Sequence, residues 1–184
     1  MQDSSESRDV PAAAPRGERG RPGPLYSTTQ IHHLMRVEFG RAQRYGYALS
    51  LLVLGLDEVE RLRSTWGVEL IGEAVEAWTR LVSDRTRGCD HLGALVDRRL
   101  VLVLPHTDRA GAEILAARLT EAVSDLGLLR EGQPVPVTAS AGISTFTDGN
   151  TMFFDALLES AESALVAART KGGACEYCPP GDLL

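Results

Sequence analysis

Cysteine, long apolar runs and excess positive charge are all scarce in this sequence, and each scarcity removes a class of protein. The three cysteines, Cys89, Cys175 and Cys178, are too few and too odd in number for a disulfide framework. Cys175 and Cys178 make a single C-x-x-C near the C-terminus. Without a second pair, a structural zinc site within one chain is disfavoured, no metal is assigned, and two reduced thiols are expected. Cys89 is expected only to fill a turn. No apolar run approaches the roughly 20 residues needed to cross a bilayer, and the N-terminus lacks the apolar core of a signal peptide. A cytoplasmic protein with no membrane partner is therefore expected. The formal net charge of −6 argues against a nonspecific nucleic-acid binder, which needs a basic surface to displace counterions.

What is present suits one folded domain. The hydrophobic share of 43% and charged share of 24% are ordinary for a globular protein, so composition alone selects no class. Residues 1–24 are rich in Pro, Gly, Ser, Arg and Ala with almost no large apolar side chain. They read as a disordered tail, because they bury too little surface to offset the entropy of ordering. Residues 25–178 read as the domain and 179–184 as a short C-terminal tail.

Within the domain, Ile31, Leu34, Met35, Phe39 and Ala42 recur at helical spacing and predict a helix from about Thr28 to Tyr45, with Ser27 or Thr28 as its cap. His32 and His33, adjacent on that helix, diverge by about 100° and are read as surface residues. Ala48 to Leu56 is almost continuously apolar, as in a central strand covered on both faces. A short helix is expected over Asp57 to Ser64, with Asp57 as its cap. A longer helix ending near Arg85 would bury Ile71, Ala74, Val75, Trp78, Leu81 and Val82. Beyond Pro105, Thr107 or Asp108 can cap a helix that buries Leu115, Leu119, Ala122 and Leu126, with Arg118 at the edge of that stripe. Val135 to Ile143 alternates like a strand. Phe154, Leu157, Leu158, Ala161, Leu165 and Ala168 mark a last helix stopped by Gly172 and Gly173, and a short strand near Ala174 to Tyr177 follows. The order implies an α/β or α+β sandwich with a mixed sheet covered by helices.

The most informative stretch is Arg87 to Pro105, where two apolar runs, Leu92 to Val96 and Leu100 to Leu104, flank Asp97, Arg98 and Arg99 in the pattern of a tight β-hairpin. It resembles the hairpin of the GGDEF domain, the diguanylate cyclase family that condenses two GTP molecules into cyclic di-GMP. Counting back from Pro105, G-G-D-E-F reads here Val96, Asp97, Arg98, Arg99 and Leu100. Matches on both sides support that register. Glu38, Arg41, Ala42, Arg44, Tyr45 and Gly46 fit E-x-x-R-A-x-R-Y-G; Val137, Thr138, Ser140 and Gly142 fit V-T-x-S-x-G; and Ala161, Glu162, Ala164, Leu165 and Ala168 echo A-D-x-A-L-Y-x-A-K. The resemblance implies a GGDEF-like three-layer sandwich built on an elaborated ferredoxin-like βαββαβ core.

It also implies what is missing. The family's carboxylates at the end of the first strand and in the signature hold magnesium and take up a proton; here those positions are Gly55, Arg98 and Arg99. Glycine has no ligand atom, and arginine neither binds a cation nor accepts a proton. The family's K-x-x-N-D reads Glu60 to Ser64, its G-H-x-x-G-D reads Gly67 to Gly72, its phosphate-pairing lysine is Arg169, and the arginine of its G-R-N is Gly173. No cyclase activity and no magnesium cofactor are therefore expected. By contrast, the inhibitory R-x-x-D that family members carry five residues before the signature is matched by Arg87 and Asp90, with Arg118 in the place of the family's third contributor. A guanidinium donates to guanine O6 and N7, and a carboxylate accepts from the N1 and N2 hydrogens. The resemblance thus implies a noncatalytic receptor for cyclic di-GMP, with a ligand-bridged homodimer or a protein partner as output. The alternative is a protein-interaction scaffold that binds no nucleotide. A salt bridge between Arg87 and Asp90 at a helix end is the structural explanation to set against a ligand site.

Overall fold

The computed structural model describes residues 25–147 and 153–180. The readings of residues 1–24 and 181–184 as tails lie outside the described residues. Of the remaining tail positions, Pro179 is half-buried and Pro180 buried.

The strands are β1 (Leu25–Tyr26), β2 (Leu49–Leu56), β3 (His91–Ala94), β4 (Leu100–Pro105), β5 (Leu129–Arg130), β6 (Gln133–Pro134), β7 (Ala139–Phe146) and β8 (Cys175–Tyr177). The helices are α1 (Thr28–Tyr45), α2 (Val59–Trp66), α3 (Val68–Arg85), α4 (Arg109–Glu121) and α5 (Phe154–Lys171). Six strands form one mixed sheet in the order β1-β3-β4-β2-β7-β8. Its centre, β3-β4-β2-β7, is antiparallel throughout, while β1 on β3 and β8 on β7 add parallel edges. With α3 before β3 and α4 before β7, this is the ferredoxin-like βαββαβ core with extensions.

The period-two alternation of side chains sends the two faces of β2 into separate cores. Leu52, Leu54 and Leu56 pack with Leu62, Trp78 and Leu119 of α2, α3 and α4. Leu51 and Val53 pack with Met35 and Phe39 of α1 and Leu157 and Leu165 of α5. The result is a three-layer sandwich. Gly142 lets the third layer approach: a Cβ there would lie 2.0 Å from the Ala161 carbonyl oxygen, so α5 rests directly on the backbone of β7.

The helix over Thr28 to Tyr45 forms as its periodicity predicts. Ser27 and Gln30 close a capping box at its start, and Gly46 ends it at φ 68°. Other expectations need correction. Val96 is not strand: β3 ends at Ala94, and Val96 opens the turn with 62% of its surface exposed. The predicted strand over Val135 to Ile143 is displaced to Ala139–Phe146 and is buried on both faces. Val135 instead bonds to Leu128, outside the large sheet, beside a β5-β6 hairpin whose Glu131 and Gly132 take positive φ. The stripe through Leu126 is not one helix, because α4 ends at Glu121 and tightens into a 3-10 turn over Ala122–Leu126. Asp57 does not cap α2. Its Oδ2 accepts from Thr138 Oγ1 at 2.9 Å and from the Gly173 N–H at 3.1 Å, fastening the end of β2 to β7 and the C-terminal turn.

Candidate functional site

Arg87 and Asp90 sit in the connection between α3 and β3, and the chain there folds as a turn, not as the helix end that the salt-bridge explanation assumed. The Asp90 N–H donates to the Arg87 carbonyl at 3.0 Å, and Asp90 Oδ2 accepts from the Arg87 N–H at 2.8 Å. The contact between the residues is therefore main-chain to carboxylate, and with the Asp90 N–H bond it closes the turn twice and fixes the aspartate. The guanidinium of Arg87 stays exposed and takes no hydrogen bond or ion pair among the described residues. Asp90 is only 7% exposed, and its second oxygen, Oδ1, has just a weak contact from the Cys89 thiol at 3.8 Å. Burial pushes the Asp90 carboxyl above its usual value; the Arg87 N–H and then the Arg87 charge draw it part of the way back.

Arg118 approaches from the last turn of α4. The start of α4 is tied to the sheet, because Ser50 Oγ on β2 donates to the Thr107 carbonyl at 2.8 Å and Asp108 Oδ1 accepts from the Gly111 N–H at 2.9 Å. Arg87, Asp90 and Arg118 line one cleft of about 240 Å³ together with Arg85, Thr107 and Ile114. All three predicted ligand residues are thus brought together. Arg85, countable in the sequence as local positive charge but not as part of the site, is recruited because it donates to the Arg118 carbonyl at 3.4 Å and pairs with Asp125 at 3.6 Å. Two residues that sequence reasoning missed, Tyr47 and His106, line an adjoining cleft with Arg87, Thr107 and Gly111. No spacing rule joins positions so far apart in the chain.

The hairpin turn forms a second site. Val96, Asp97 and Arg98 make a 3-10 turn closed by the Leu95 N–H donating to the Arg99 carbonyl at 2.8 Å, with Asp97 and Arg98 both at positive φ. Leu100 is already buried in β4. Asp97 and Arg98 face a cleft of about 690 Å³ with Leu56, Glu58, Val59, Glu60 and Arg169. Arg99 is absorbed by Glu162 of α5 at 2.8 Å. Arg169 lies over Gly55: a Cβ on that glycine would fall 2.3 Å from its Nη2, which also donates to the Leu56 carbonyl at 3.3 Å. Asp57, directly after β2, has its Oδ1 buried without a hydrogen-bond partner among the described residues. The carboxylates of Glu58, Glu60 and Asp97 share the cleft with the guanidinium groups of Arg98 and Arg169. Among the described residues no group of three His, Cys, Asp or Glu side chains is placed to hold a metal ion. Cys89, Cys175 and Cys178 are free thiols.

Residues 24–175 match the family model described as diguanylate cyclase, GGDEF domain. The chain belongs to the GGDEF-domain family. Among curated GGDEF relatives, the diguanylate cyclase DgcP of Pseudomonas aeruginosa is 31% identical over 149 residues, covering 80% of this chain and 22% of that protein. The probable diguanylate cyclase DgcC of Escherichia coli K12 is 25% identical over 148 residues, again 80% of this chain and 39% of that protein. The chain thus spans well under half of these relatives. In structure, it is similar to the GGDEF domain of DgcB from Caulobacter crescentus in complex with c-di-GMP, with a TM-score of 0.77 at 15% identity over 96% of this chain and 98% of that one. Diguanylate cyclase SiaD of Pseudomonas aeruginosa, in complex with its activator SiaC, gives a TM-score of 0.77 at 24% identity, covering 84% of this chain and 59% of that one. These structural likenesses establish the GGDEF fold. No helix among the described residues is long and apolar enough to cross a membrane.

Proposed function

We propose that this GGDEF domain is a noncatalytic receptor for cyclic di-GMP that holds a guanine base with Arg87, Asp90 and Arg118 and signals through ligand-linked dimerisation or partner binding. The observation that carries this reading is the contrast within one cleft: two guanidinium groups without partners among the described residues flank a carboxylate locked by a backbone bond. Such a site is organised before ligand arrives, and its cations suit a ligand with two phosphates. The dinucleotide in the DgcB structure and the activator bound to SiaD lend the ligand and the partner plausibility. Exposure of Arg87 and Arg118 leaves both available to a ligand shared with a second domain.

The noncatalytic half of the proposal rests on the hairpin cleft. Triphosphate condensation requires cation ligands and a proton acceptor, and Gly55, Arg98 and Arg99 provide neither. Incubation with GTP and magnesium or manganese is expected to yield no cyclic di-GMP by chromatography. Sustained product formation would overturn it.

Isothermal titration tests the receptor. Cyclic di-GMP should give saturable heat with the wild type and a severe loss with Arg87→Ala. A second reading, a scaffold that binds no nucleotide, draws on the burial of Asp90, only 7% exposed. It predicts no saturable heat, and partner capture indifferent to both dinucleotide and Asp90→Ala.

A further inference from the structure

Resting on the receptor reading, we infer that His106, supported from beneath by Tyr47, is a stacking platform for the second base of the bound dinucleotide. The cleft around Arg87 and Asp90 has polar groups for one guanine. A cyclic dinucleotide carries two, and the second needs a surface of its own. The neighbouring cleft, about 370 Å³, is lined by Tyr47, His106 and Asp108 and shares Arg87, Thr107 and Gly111 with the first. One ligand can therefore pass from one cleft into the other around the Arg87 side chain.

The ring geometry suits a platform. The His106 and Tyr47 rings lie 3.9 Å apart between centroids at an interplanar angle of 31°, so one imidazole face is covered by the phenol. His106 itself is exposed, which leaves ring surface open to a base. Tyr47 is anchored in turn: its hydroxyl donates to Glu38 Oε2 at 3.2 Å, and Glu38 is buried and paired with Arg41. Burial, with the Glu38 charge and hydrogen bond, pushes the Tyr47 hydroxyl up to about 12, keeping it a neutral donor. His106 holds φ 53° immediately after β4, a left-handed conformation that turns the chain here. The stack is thus a built feature, joining α1, the β2 approach and the β4 exit.

Stacking a base on an aromatic side chain is sequence-tolerant and strong enough to read by substitution. The test is titration of cyclic di-GMP into wild type, His106→Asn, His106→Phe and Arg87→Ala. Asparagine tolerates positive φ and removes the ring, so it separates loss of stacking from backbone strain. His106→Asn should weaken binding about fivefold or more, and His106→Phe should bind within about twofold of wild type. Tyr47 is a positioning residue: Tyr47→Leu should reproduce the His106→Asn loss and shift the imidazole resonances of the free protein. With saturating ligand, the wild-type His106 ring protons should move upfield from the base's ring current. If wild type binds and Arg87→Ala does not, but His106→Asn binds like wild type with unmoved ring protons, the platform is refuted and the receptor stands. If wild type gives no saturable heat, the receptor reading fails and takes the platform with it.

Discussion

The two charged clefts differ less in the residues they contain than in how those residues are used. Both hold arginines beside a strand end and a turn. At the hairpin, Arg99 is occupied by Glu162, Arg169 lies over Gly55 and bonds to the Leu56 carbonyl, and Asp57 is turned inward to brace the sheet. At the α3-β3 turn, the backbone holds the carboxylate of Asp90 while Arg87 keeps its guanidinium for something else. Free functional groups with a fixed orientation are what a ligand site requires. At the hairpin, Arg99 and Arg169 are engaged by the fold, whereas Arg98 is exposed and Asp57 Oδ1 is buried without a partner among the described residues.

The sharpest way to break this comparison is to remove one arginine from each cleft. Arg87→Ala should cost about 1–3 kcal/mol of cyclic di-GMP affinity, the worth of a bidentate pair to guanine. Arg98→Ala should change affinity by less than about 0.5 kcal/mol, as for a surface position away from the site. Titration calorimetry on both variants measures the difference, and equal losses would erase the distinction.

A second, smaller effect follows from Asp90, whose carboxyl is raised mainly by burial. A carboxyl raised on folding supports stability most below its unfolded value, and that support is lost as pH rises through the folded value. Wild type should therefore gain stability relative to Asp90→Asn as pH is lowered through this window. Guanine recognition needs the ionised form, so affinity should fall in the same direction and at a higher pH than for an ordinary aspartate. Thermal melts and titrations in stepped pH give both curves.

The smallest effect concerns the hairpin alone. Asp97 and Arg98 hold φ of 59° and 61°, which costs an L-residue roughly 1–2 kcal/mol, part of which glycine would return. Arg98→Gly should raise stability by less than about 1 kcal/mol in chemical denaturation and leave dinucleotide affinity unchanged.

Much of the fold was legible because its signals are local. The α1 stripe, the continuous apolar run of β2 and the glycine stop after α5 each reflect burial imposed on a short segment. The errors arose where long-range packing decides. Ala139 to Phe146 is buried on both faces because α4 covers one and α5 the other, a packing that period-two alternation over Val135 to Ile143 does not anticipate. For Asp57 a helix cap is the local option, whereas its actual partners, Thr138 and Gly173, lie far along the chain. Arg87 and Asp90 were legible by spacing, although that spacing closes a turn. Tyr47 and His106 were not, since only the β2-β4 pairing, with Leu49 opposite Pro105, brings their neighbourhoods together.

The most direct measurement is an amide NMR titration with cyclic di-GMP, which reports on both clefts in one experiment. The account predicts saturable shifts at Arg87, Asp90, Thr107, Gly111 and Arg118, with Gly55, Asp97, Arg98 and Arg169 silent. Shifts concentrated at the hairpin cleft, or none at all, would contradict it.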